Sequence, residues 1–259
     1  MKYNFLIFFA CAMMCASVKA GAPKASDYFL TKPQLDLAIA AEKGKTNKMD
    51  ALLRAGADVN ARSKYGMTVL FWCLLQQNKN AFEFLLEHGA DPNVQMDTNA
   101  PTLEETLGLA GTSVMDVAPR KTDVWYLDQV LKHGGNPNLV NPVSKRTPIY
   151  WVMLSIRQEN LKNMEILLAA GAQVNFQDGQ RGYTPLMFAA LSSRYDMAYT
   201  LLEAGADPAI KDFHGDTIVR IANMNGPHLD QKGWRYPWYL KVMDVLKSKG
   251  MDMDEGKPK

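Results

Sequence analysis

The sequence predicts an all-α protein in which about six helix pairs, counting the two terminal caps, stack side by side as a solenoid. A short phrase recurs along the chain: an apolar helix ends, a glycine follows and a polar turn begins. Its period is near 33 residues, and units of this length bury their apolar faces only by stacking on their neighbours. The six copies occupy residues 52–60, 85–93, 130–138, 167–175, 201–209 and, with lower similarity, 245–253.

A second motif opens the first helix of each pair. It places Thr, followed in some copies by Pro, where the helix begins. The Thr hydroxyl can cap the helix, and a Pro at the first helical position loses no N–H that the helix needs. The clearest copies are YGMTVLFWCLL at residues 65–75 and RGYTPLMFAAL at residues 181–191, and weaker copies lie at residues 112–118, 146–153 and 215–222.

Together the two motifs resemble the ankyrin repeat, and the resemblance covers roughly residues 33–250. It implies an ankyrin-repeat solenoid whose helix pairs are joined by turns or β-hairpin-like loops. It also implies a protein-binding function. The family's histidine after Thr-Pro-Leu is absent, so we expect its local hydrogen bond to be missing. The residues that replace it are Phe71, Met115, Tyr150, Met187 and Arg220.

The end of each second helix has a predicted packing role. We expect its Leu pair to face the neighbouring repeat, where burying each Leu contributes about 1.5–3 kcal/mol. His88 and His133 are interpreted as caps of the negative helix end, not as metal ligands or catalytic groups. The glycine beyond each helix end is expected to adopt a left-handed backbone conformation. These glycines are Gly56, Gly89, Gly134, Gly171 and Gly205.

Residues 1–20 are predicted to be a secretory signal peptide that is cleaved after Ala20. Lys2 provides a positive start, and the apolar run that follows is too short to span a bilayer. A lipoprotein, acylated at Cys11 or Cys15, is the alternative. The segment contains two of the chain's 29 Lys and Arg residues and none of its 27 acidic ones, so the mature chain is neutral. This argues against nucleic-acid binding.

The mature chain retains one of the three cysteines, Cys73, in an apolar helix. No disulfide can form within a monomer, and we expect this thiol to be buried and inert. No other stretch approaches transmembrane length, so we expect no direct membrane insertion. We interpret the compartment as the bacterial periplasm.

We expect residues 21–259 to form a single ankyrin-repeat domain. Glycine spacings of 45, 37 and 45 interrupt the regular step near 33 and locate insertions near 95–111, 157–162 and 225–240. Such insertions map to loops, often on the binding face. The expected units are an N-terminal capping repeat (33–63), repeat 2 (64–95), repeat 3 with a loop insertion (96–141), repeat 4 (142–178), repeat 5 (179–211), a C-terminal capping repeat with an insertion (212–251) and a frayed tail (252–259).

The last insertion carries Trp234, Tyr236, Trp238 and Tyr239 close together. These rings can cap the open apolar end that every solenoid must cover. They can also anchor a partner, because Trp, Tyr and Arg dominate interface energetics. Capping is the favoured interpretation, and both roles can hold.

The resemblance implies that partners bind at the loop tips and on the exposed side of the first helices. Arg and Lys accompany Tyr and Phe at these tips, so we expect acidic groups on the partner. The predicted tip residues are Arg62, Lys64, Tyr65, Met67, Gln95, Arg146, Arg181, Tyr183, Phe213, His214 and Asp216. The predicted helix residues are Leu75, Gln76, Leu154, Met224 and Asn225, with Trp234, Tyr236 and Trp238 from the last insertion.

No catalytic or metal-binding pattern occurs in the sequence. None of the four histidines has a spacing to cysteine that suits zinc. No nucleophile elbow, phosphate-binding glycine loop or H-E-x-x-H helix is present. We therefore expect no enzymatic activity, no cofactor and no metal.

With its predicted signal peptide, its ankyrin-like repeats and the stretch at residues 25–45, the chain resembles the immunity proteins of type VI secretion phospholipase effectors. We expect such a protein, monomeric when free, to cover the toxic effector sterically. The alternative is a periplasmic scaffold that stabilises an envelope enzyme such as an oxidative-stress catalase. A third possibility is a secreted factor that binds a host protein.

Overall fold

The computed structural model describes residues 24–99, 110–154 and 160–256, which form helices and turns and contain no strand. This confirms the predicted all-α fold. Within these residues, none of the helices has the length and apolar character that crossing a bilayer requires.

Several sequence predictions fall outside the described residues. They are the signal peptide at 1–20, with Cys11 and Cys15, and most of the insertions near 95–111 and 157–162. The single-domain prediction and its repeat boundaries likewise stay predictions.

The described residues up to Ala118, together with Trp125–Asn136, form one compact unit. Helices α2, α4 and α6 pack in one row, and α3, α5 and α7 pack in a second row beside it. The helices are α1 (Ala25–Tyr28), α2 (Lys32–Glu42), α3 (Thr46–Arg54), α4 (Val69–Gln76), α5 (Lys79–Glu87), α6 (Val114–Val117) and α7 (Trp125–Lys132).

Pro119–Val124 and the described residues from Pro137 onward form a second compact unit. Its first helices, α8, α10 and α12, form one row, and its second helices, α9, α11 and α13, form the other. The helices are α8 (Pro148–Val152), α9 (Leu161–Ala169), α10 (Pro185–Leu191), α11 (Tyr195–Glu203), α12 (Ile218–Asn225) and α13 (Arg235–Ser248).

Helices α4, α10 and α12 begin with a Thr whose hydroxyl caps the helix, as the motif predicts. At α6 the capping position is Ser113 instead of Thr112, and before α8 the Thr147 side chain makes no capping hydrogen bond. The Thr68 hydroxyl accepts from the Phe71 N–H at 3.3 Å, and the Thr184 hydroxyl accepts from the Met187 N–H at 3.2 Å. Pro148 and Pro185 occupy first-turn positions that need no N–H.

The second helices end in buried leucines. Leu85, Leu86, Leu201 and Leu202 are buried, as predicted. In α3 the corresponding Leu pair at 52–53 is only half-buried, because α3 packs against α2 and α5 and is the first member of its row.

The helix-end glycines all have positive φ, between 84° and 94°. An added Cβ at Gly56, for example, would meet no atom within 4 Å. The requirement is therefore conformational and not steric. The capping histidines also behave as predicted, with Nδ1 of His88 2.7 Å from the Phe84 carbonyl and Nδ1 of His133 3.0 Å from the Gln129 carbonyl.

A row of asparagines links successive repeats within each unit. Asn93 donates from Nδ2 to the Gly134 carbonyl at 3.0 Å, and its Oδ1 accepts from the Asn136 N–H at 2.7 Å. Asn60 makes the equivalent bonds to Gly89 and Asp91. Each amide thus satisfies the backbone just beyond a helix end of the next repeat. Asn138 does the same for Gly171 and Gln173, and Asn175 accepts from the Asp207 N–H.

The predicted fraying of the acidic tail is wrong for the part that the structure describes. The Glu255 carboxylate accepts hydrogen bonds from the Thr217 N–H, at 2.8 Å, and from the Thr217 hydroxyl. Asn223 donates to the carbonyls of Met253 and Glu255. Because Glu255 lies at the N-terminus of α12, the helix dipole favours this contact.

The last part of the aromatic insertion, residues 235–240, forms the first turns of α13, and the part before it contains a 3-10 helix at Gly226–His228. Tyr239 packs edge-on against Tyr195 with ring centroids 5.1 Å apart, and Trp238 lies 5.7 Å from Tyr199. These two rings therefore cover α11, as the capping interpretation requires, whereas Trp234 is exposed.

We predict that Asn93→Ala lowers the free energy of unfolding by about 1–3 kcal/mol, since two backbone groups lose their partners. Urea denaturation followed by circular dichroism measures the change. Asn80→Ala is the matched control, because Asn80 is exposed and its side chain makes no hydrogen bond to a described residue. Equal destabilisation by the two substitutions would contradict the role of the asparagine row.

Candidate partner-binding surface

Polar side chains shape the loops that precede the first helices, here called the finger loops (residues 62–67, 141–146, 178–183 and 211–216). Buried Asp178 accepts from the backbone N–H groups of Arg181, at 2.9 Å, and Tyr183, at 3.3 Å. Buried Asp212 accepts from His214 and Asp216 in the same way. These bonds fold each loop back on itself, so the tip residues point outward.

Neighbouring finger loops in the second unit lie against each other. The Gly179 N–H donates to the Lys145 carbonyl at 3.3 Å, and the Phe213 N–H donates to the Arg181 carbonyl at 3.0 Å. A Cβ added at Gly182 would lie 2.6 Å from the Phe213 ring. Glycine is therefore required at position 182, where the Phe213 ring covers the backbone of the preceding finger loop.

Arg146 was predicted at the surface, but its side chain is only 18% exposed. Its Nε donates to Asp178 Oδ2 at 3.1 Å, and its guanidinium lies 4.4 Å from the Phe188 ring centroid. The structure corrects the prediction: Arg146 neutralises the buried carboxylate that shapes the next loop.

Tyr150 completes this cluster. Its hydroxyl lies 2.6 Å from the Phe176 carbonyl and 2.7 Å from the Tyr183 carbonyl, both in the following repeat. Burial raises the pKa of this phenol, and the charge of Asp178 raises it further. The hydroxyl therefore remains a donor, and a non-local bond stands where the family's local histidine bond is missing. The sequence showed that Tyr150 replaces the family's histidine, but it did not show the hydrogen bonds to the next repeat.

Met67 requires a second correction. It is buried, and its N–H donates to Ser63 Oγ at 3.0 Å. Its position after the loop turns the side chain into the core of the first unit. It is not available to a partner.

The remaining predicted residues of the first unit are partly engaged. Arg62 is paired with Asp97 at 2.6 Å and also donates to the Gln95 carbonyl. Lys64 is exposed and lies 5.2 Å from the half-buried Tyr65 ring. Leu75 is half-buried and Gln76 is exposed.

The second unit presents the more open set. Arg181, Phe213 and His214 are exposed, and Phe213 reaches 65% exposure. Tyr183 is half-buried, and Asp216 pairs with Arg220 at 3.1 Å. Trp234, just before α13, is exposed, whereas Tyr236 and Trp238 in α13 are half-buried.

An apolar column runs along the ends of the first helices in this unit. Leu154, Leu191 and Met224 each lie seven residues after a helix-opening Thr. Met224 is 58% exposed, Leu191 is also exposed, and Leu154 is half-buried. Leu191 was missed by the sequence analysis, although its spacing could have revealed it. Asn225 follows Met224, and its amide contacts carbonyls at the end of α10.

The finger loops of the second unit carry uncompensated positive charge. Lys145, Arg181 and Lys211 are exposed and form no ion pair with a described residue. The loop carboxylates Asp178 and Asp212 point inward, as described above. Exposed Val143 and Phe213 add apolar area, so this surface suits a partner with acidic and apolar groups.

The described residues offer little for catalysis. They contain no group of three His, Cys, Asp or Glu side chains that could hold a metal ion. Cys73 is fully buried, and burial raises the pKa of its thiol, so the reactive thiolate is disfavoured. A groove of about 430 Å³ between α3 and α5 is lined by residues such as Asp50, Glu83 and Glu87, without histidine or cysteine.

Stacked helix pairs that are joined by finger loops define the class: a protein-binding repeat module. The family model described as "Ankyrin repeats (3 copies)" matches residues 12–96 and 115–212, and the chain belongs to the ankyrin repeat family. No catalytic family is indicated by this match.

Relatives differ in how much of them the chain covers. It is 34% identical over 202 residues to Protein PhlB of Serratia liquefaciens, covering 78% of this chain and 65% of that protein. It is 29% identical over 197 residues to the putative ankyrin repeat protein YahD of Escherichia coli K12, covering 74% and 90%. It is 28% identical over 187 residues to the E3 ubiquitin-protein ligase KEG of Arabidopsis thaliana, covering 71% of this chain but only 11% of KEG.

Solved structures show the same fold. The ankyrin repeat domain of Bcl-3 matches with a TM-score of 0.65 at 18% identity, covering 85% of this chain and 87% of that one. An ankyrin repeat domain from Acinetobacter baumannii AYE matches at 0.64 and 23% identity, covering 83% and 98%. A chain of the complex between the predatory endopeptidase Bd0816 of Bdellovibrio bacteriovorus and the immunity protein Bd3460 matches at 0.59 and 21% identity, covering 80% and 97%.

We predict that Tyr150→Phe lowers the free energy of unfolding by about 1–3 kcal/mol, because two carbonyls in the next repeat lose their donor. Tyr199→Phe is the matched control, since its hydroxyl makes no hydrogen bond to a described residue. Urea denaturation of both variants measures the difference. If Tyr150→Phe unfolds at the same urea concentration as Tyr199→Phe, the bridging role is wrong.

Proposed function

We propose that this protein is a periplasmic immunity protein that binds a secreted antibacterial effector and blocks it sterically. The effector we propose is a phospholipase of the type VI secretion system. The observation that carries the proposal is the surface of the second unit, where unpaired cations and exposed apolar side chains lie together without exposed free carboxylates on the finger loops.

The mechanism needs no chemistry from this chain. The finger loops are held by buried hydrogen bonds, so little conformational freedom is lost when a partner docks. Arg181 and Phe213 are of the types that anchor interfaces, and the column of Leu154, Leu191 and Met224 offers further apolar area toward the other ends of the first helices. When the effector binds here, this protein would cover the effector's active-site entrance or its membrane-docking face.

The comparisons support this proposal without testing it. A chain of similar fold occurs in a complex named for an endopeptidase and its immunity protein. A shared fold says nothing of the partner's chemistry. The lipase partner, the periplasmic location and the cleavage after Ala20 therefore belong to the proposal.

The direct test is protection. The candidate effector is a phospholipase whose gene neighbours that of this protein; it is exported to the periplasm of a sensitive bacterium, with and without this protein. We expect survival only when both are present. Equal killing in the two strains would overturn the immunity proposal, and loss of catalase activity on deletion of this gene would favour the scaffold alternative.

We predict that Arg181→Glu combined with Phe213→Ala weakens binding to that phospholipase by about 100-fold or more, because two anchor side chains are lost. Isothermal titration calorimetry measures the affinity. The matched control is Leu240→Glu combined with Lys241→Glu on α13, which also reverses an exposed cation and removes an exposed apolar side chain. Unchanged affinity in the Arg181 and Phe213 variant would move the interface elsewhere.

A further inference from the structure

We propose that the last finger loop, residues 211–216, receives an extended acidic segment of the partner, which binds as a following finger loop would. The receiving group, here called the open tip, consists of the His214 carbonyl, Gly215 and the Lys211 side chain. The inference rests on the proposed function, because it names the part of the effector that this surface binds.

Two hydrogen bonds between successive loops share one register. In the second unit the Phe213 N–H donates to the Arg181 carbonyl at 3.0 Å, and in the first unit the Asp97 N–H donates to the Tyr65 carbonyl at 3.0 Å. Each acceptor lies three residues before a helix-opening Thr and is followed by a glycine with positive φ. His214 occupies the same position before α12, but its carbonyl forms no hydrogen bond with a described residue.

The glycines of these tips show which loops are covered. A Cβ added at Gly66 would lie 2.9 Å from the Asp97 nitrogen, and one added at Gly182 would lie 2.6 Å from the Phe213 ring. A Cβ added at Gly215 would meet no atom within 4 Å. The last tip is therefore open at the two positions, the carbonyl and the glycine, that a following segment covers at the other two tips.

The charge at the open tip indicates what an occupant must carry. Arg62 and Lys211 each lie six residues before a helix-opening Thr. Arg62 pairs at 2.6 Å with Asp97, the same residue whose N–H bonds the Tyr65 carbonyl. Lys211 is exposed and forms no ion pair with a described residue. An Asp or Glu of the partner that donates its N–H to the His214 carbonyl would therefore bring its carboxylate toward Lys211.

A second copy of this chain does not fit the open tip in this way. The corresponding N–H of the first finger loop, that of Lys64, already donates to the Tyr28 carbonyl at 3.2 Å. Tyr28 is itself buried, with its ring 5.7 Å from that of Trp72. The first loop of one molecule is thus not free to follow the last loop of another.

A non-helical segment of a different protein fits instead. The two covering residues, Asp97 and Phe213, both lie outside the helices. In segments that add to an exposed backbone edge, main-chain hydrogen bonds supply affinity and side chains supply specificity. At the open tip the main-chain bond is to the His214 carbonyl, and the side chain that Lys211 selects is a carboxylate.

The test blocks the open tip without crowding the free protein. Gly215→Asn adds a side chain where there is open space, and Asn is among the residues that best tolerate a positive φ. The matched control is Gly205→Asn at a helix end. There φ is 88°, against 85° at Gly215, and an added Cβ also meets no atom within 4 Å. We expect urea denaturation to show equal stability of the two full-length variants.

Isothermal titration calorimetry measures the affinity of each variant for the candidate phospholipase. We expect Gly215→Asn to weaken binding by about tenfold or more, since an inserted side chain forces a packed contact apart. Gly205→Asn is expected to bind as the wild type does.

We also expect Lys211→Gln to weaken binding by about two- to fivefold, the effect of losing one exposed ion pair. Lys48→Gln removes an exposed cation from α3 and is the control that leaves the affinity unchanged.

The outcomes separate this inference from the immunity proposal. If the wild type binds the phospholipase and Gly215→Asn binds it equally well, the inference is wrong and the immunity proposal stands. Unchanged affinity of Lys211→Gln would likewise overturn the choice of an acidic segment. A wild type that does not bind the phospholipase overturns the immunity proposal, and this inference with it.

Other occupants of the open tip would also be detected. Greater destabilisation by Gly215→Asn than by Gly205→Asn would show that this chain itself fills the position. A wild-type dimer in analytical ultracentrifugation that Gly215→Asn dissociates would make a second copy the occupant. Either result overturns the inference.

Discussion

Each helix pair of this protein can bury its apolar face only against the next pair, and this requirement governs the rest of the structure. In the second unit the rows α8–α10–α12 and α9–α11–α13 bring buried leucines such as Leu201 and Leu202 into contact with neighbouring helices. Hydrophobic burial supplies the energy but not the register. The asparagine row supplies the register, because Asn60, Asn93 and Asn138 each bond one carbonyl and one N–H in the next repeat.

The same requirement determines what the chain can use for binding. Side chains that pack against the neighbouring repeat are buried and cannot contact a partner. Some cationic side chains are also needed to neutralise buried carboxylates. Arg146 serves Asp178 in this way. Arg194 forms a two-point ion pair with Asp196, with both side chains nearly inaccessible to water. Such pairs are weak contributors to stability once desolvation is counted, but removing one partner would leave a buried charge.

In the second unit, the surface left for partners is formed by the finger loops. The finger loops combine unpaired cations with Phe213 and Val143 on a framework held by backbone hydrogen bonds, which suits a pre-formed protein interface. This surface is positive, although the mature chain as predicted is neutral. Charge is therefore distributed unevenly over the molecule.

The sequence by itself determined the repeat, the helix starts and the left-handed glycines. Those features arise from interactions within about one helical turn, such as the Thr68 cap or the backbone angle at Gly56. Only the tertiary structure decided that Met67 and Arg146 are withdrawn from the surface, that Tyr150 serves the next repeat and that Glu255 caps α12. The groups that Arg146, Tyr150 and Glu255 contact lie roughly one repeat away along the chain. Their geometry exists only after stacking, so no local pattern could reveal it.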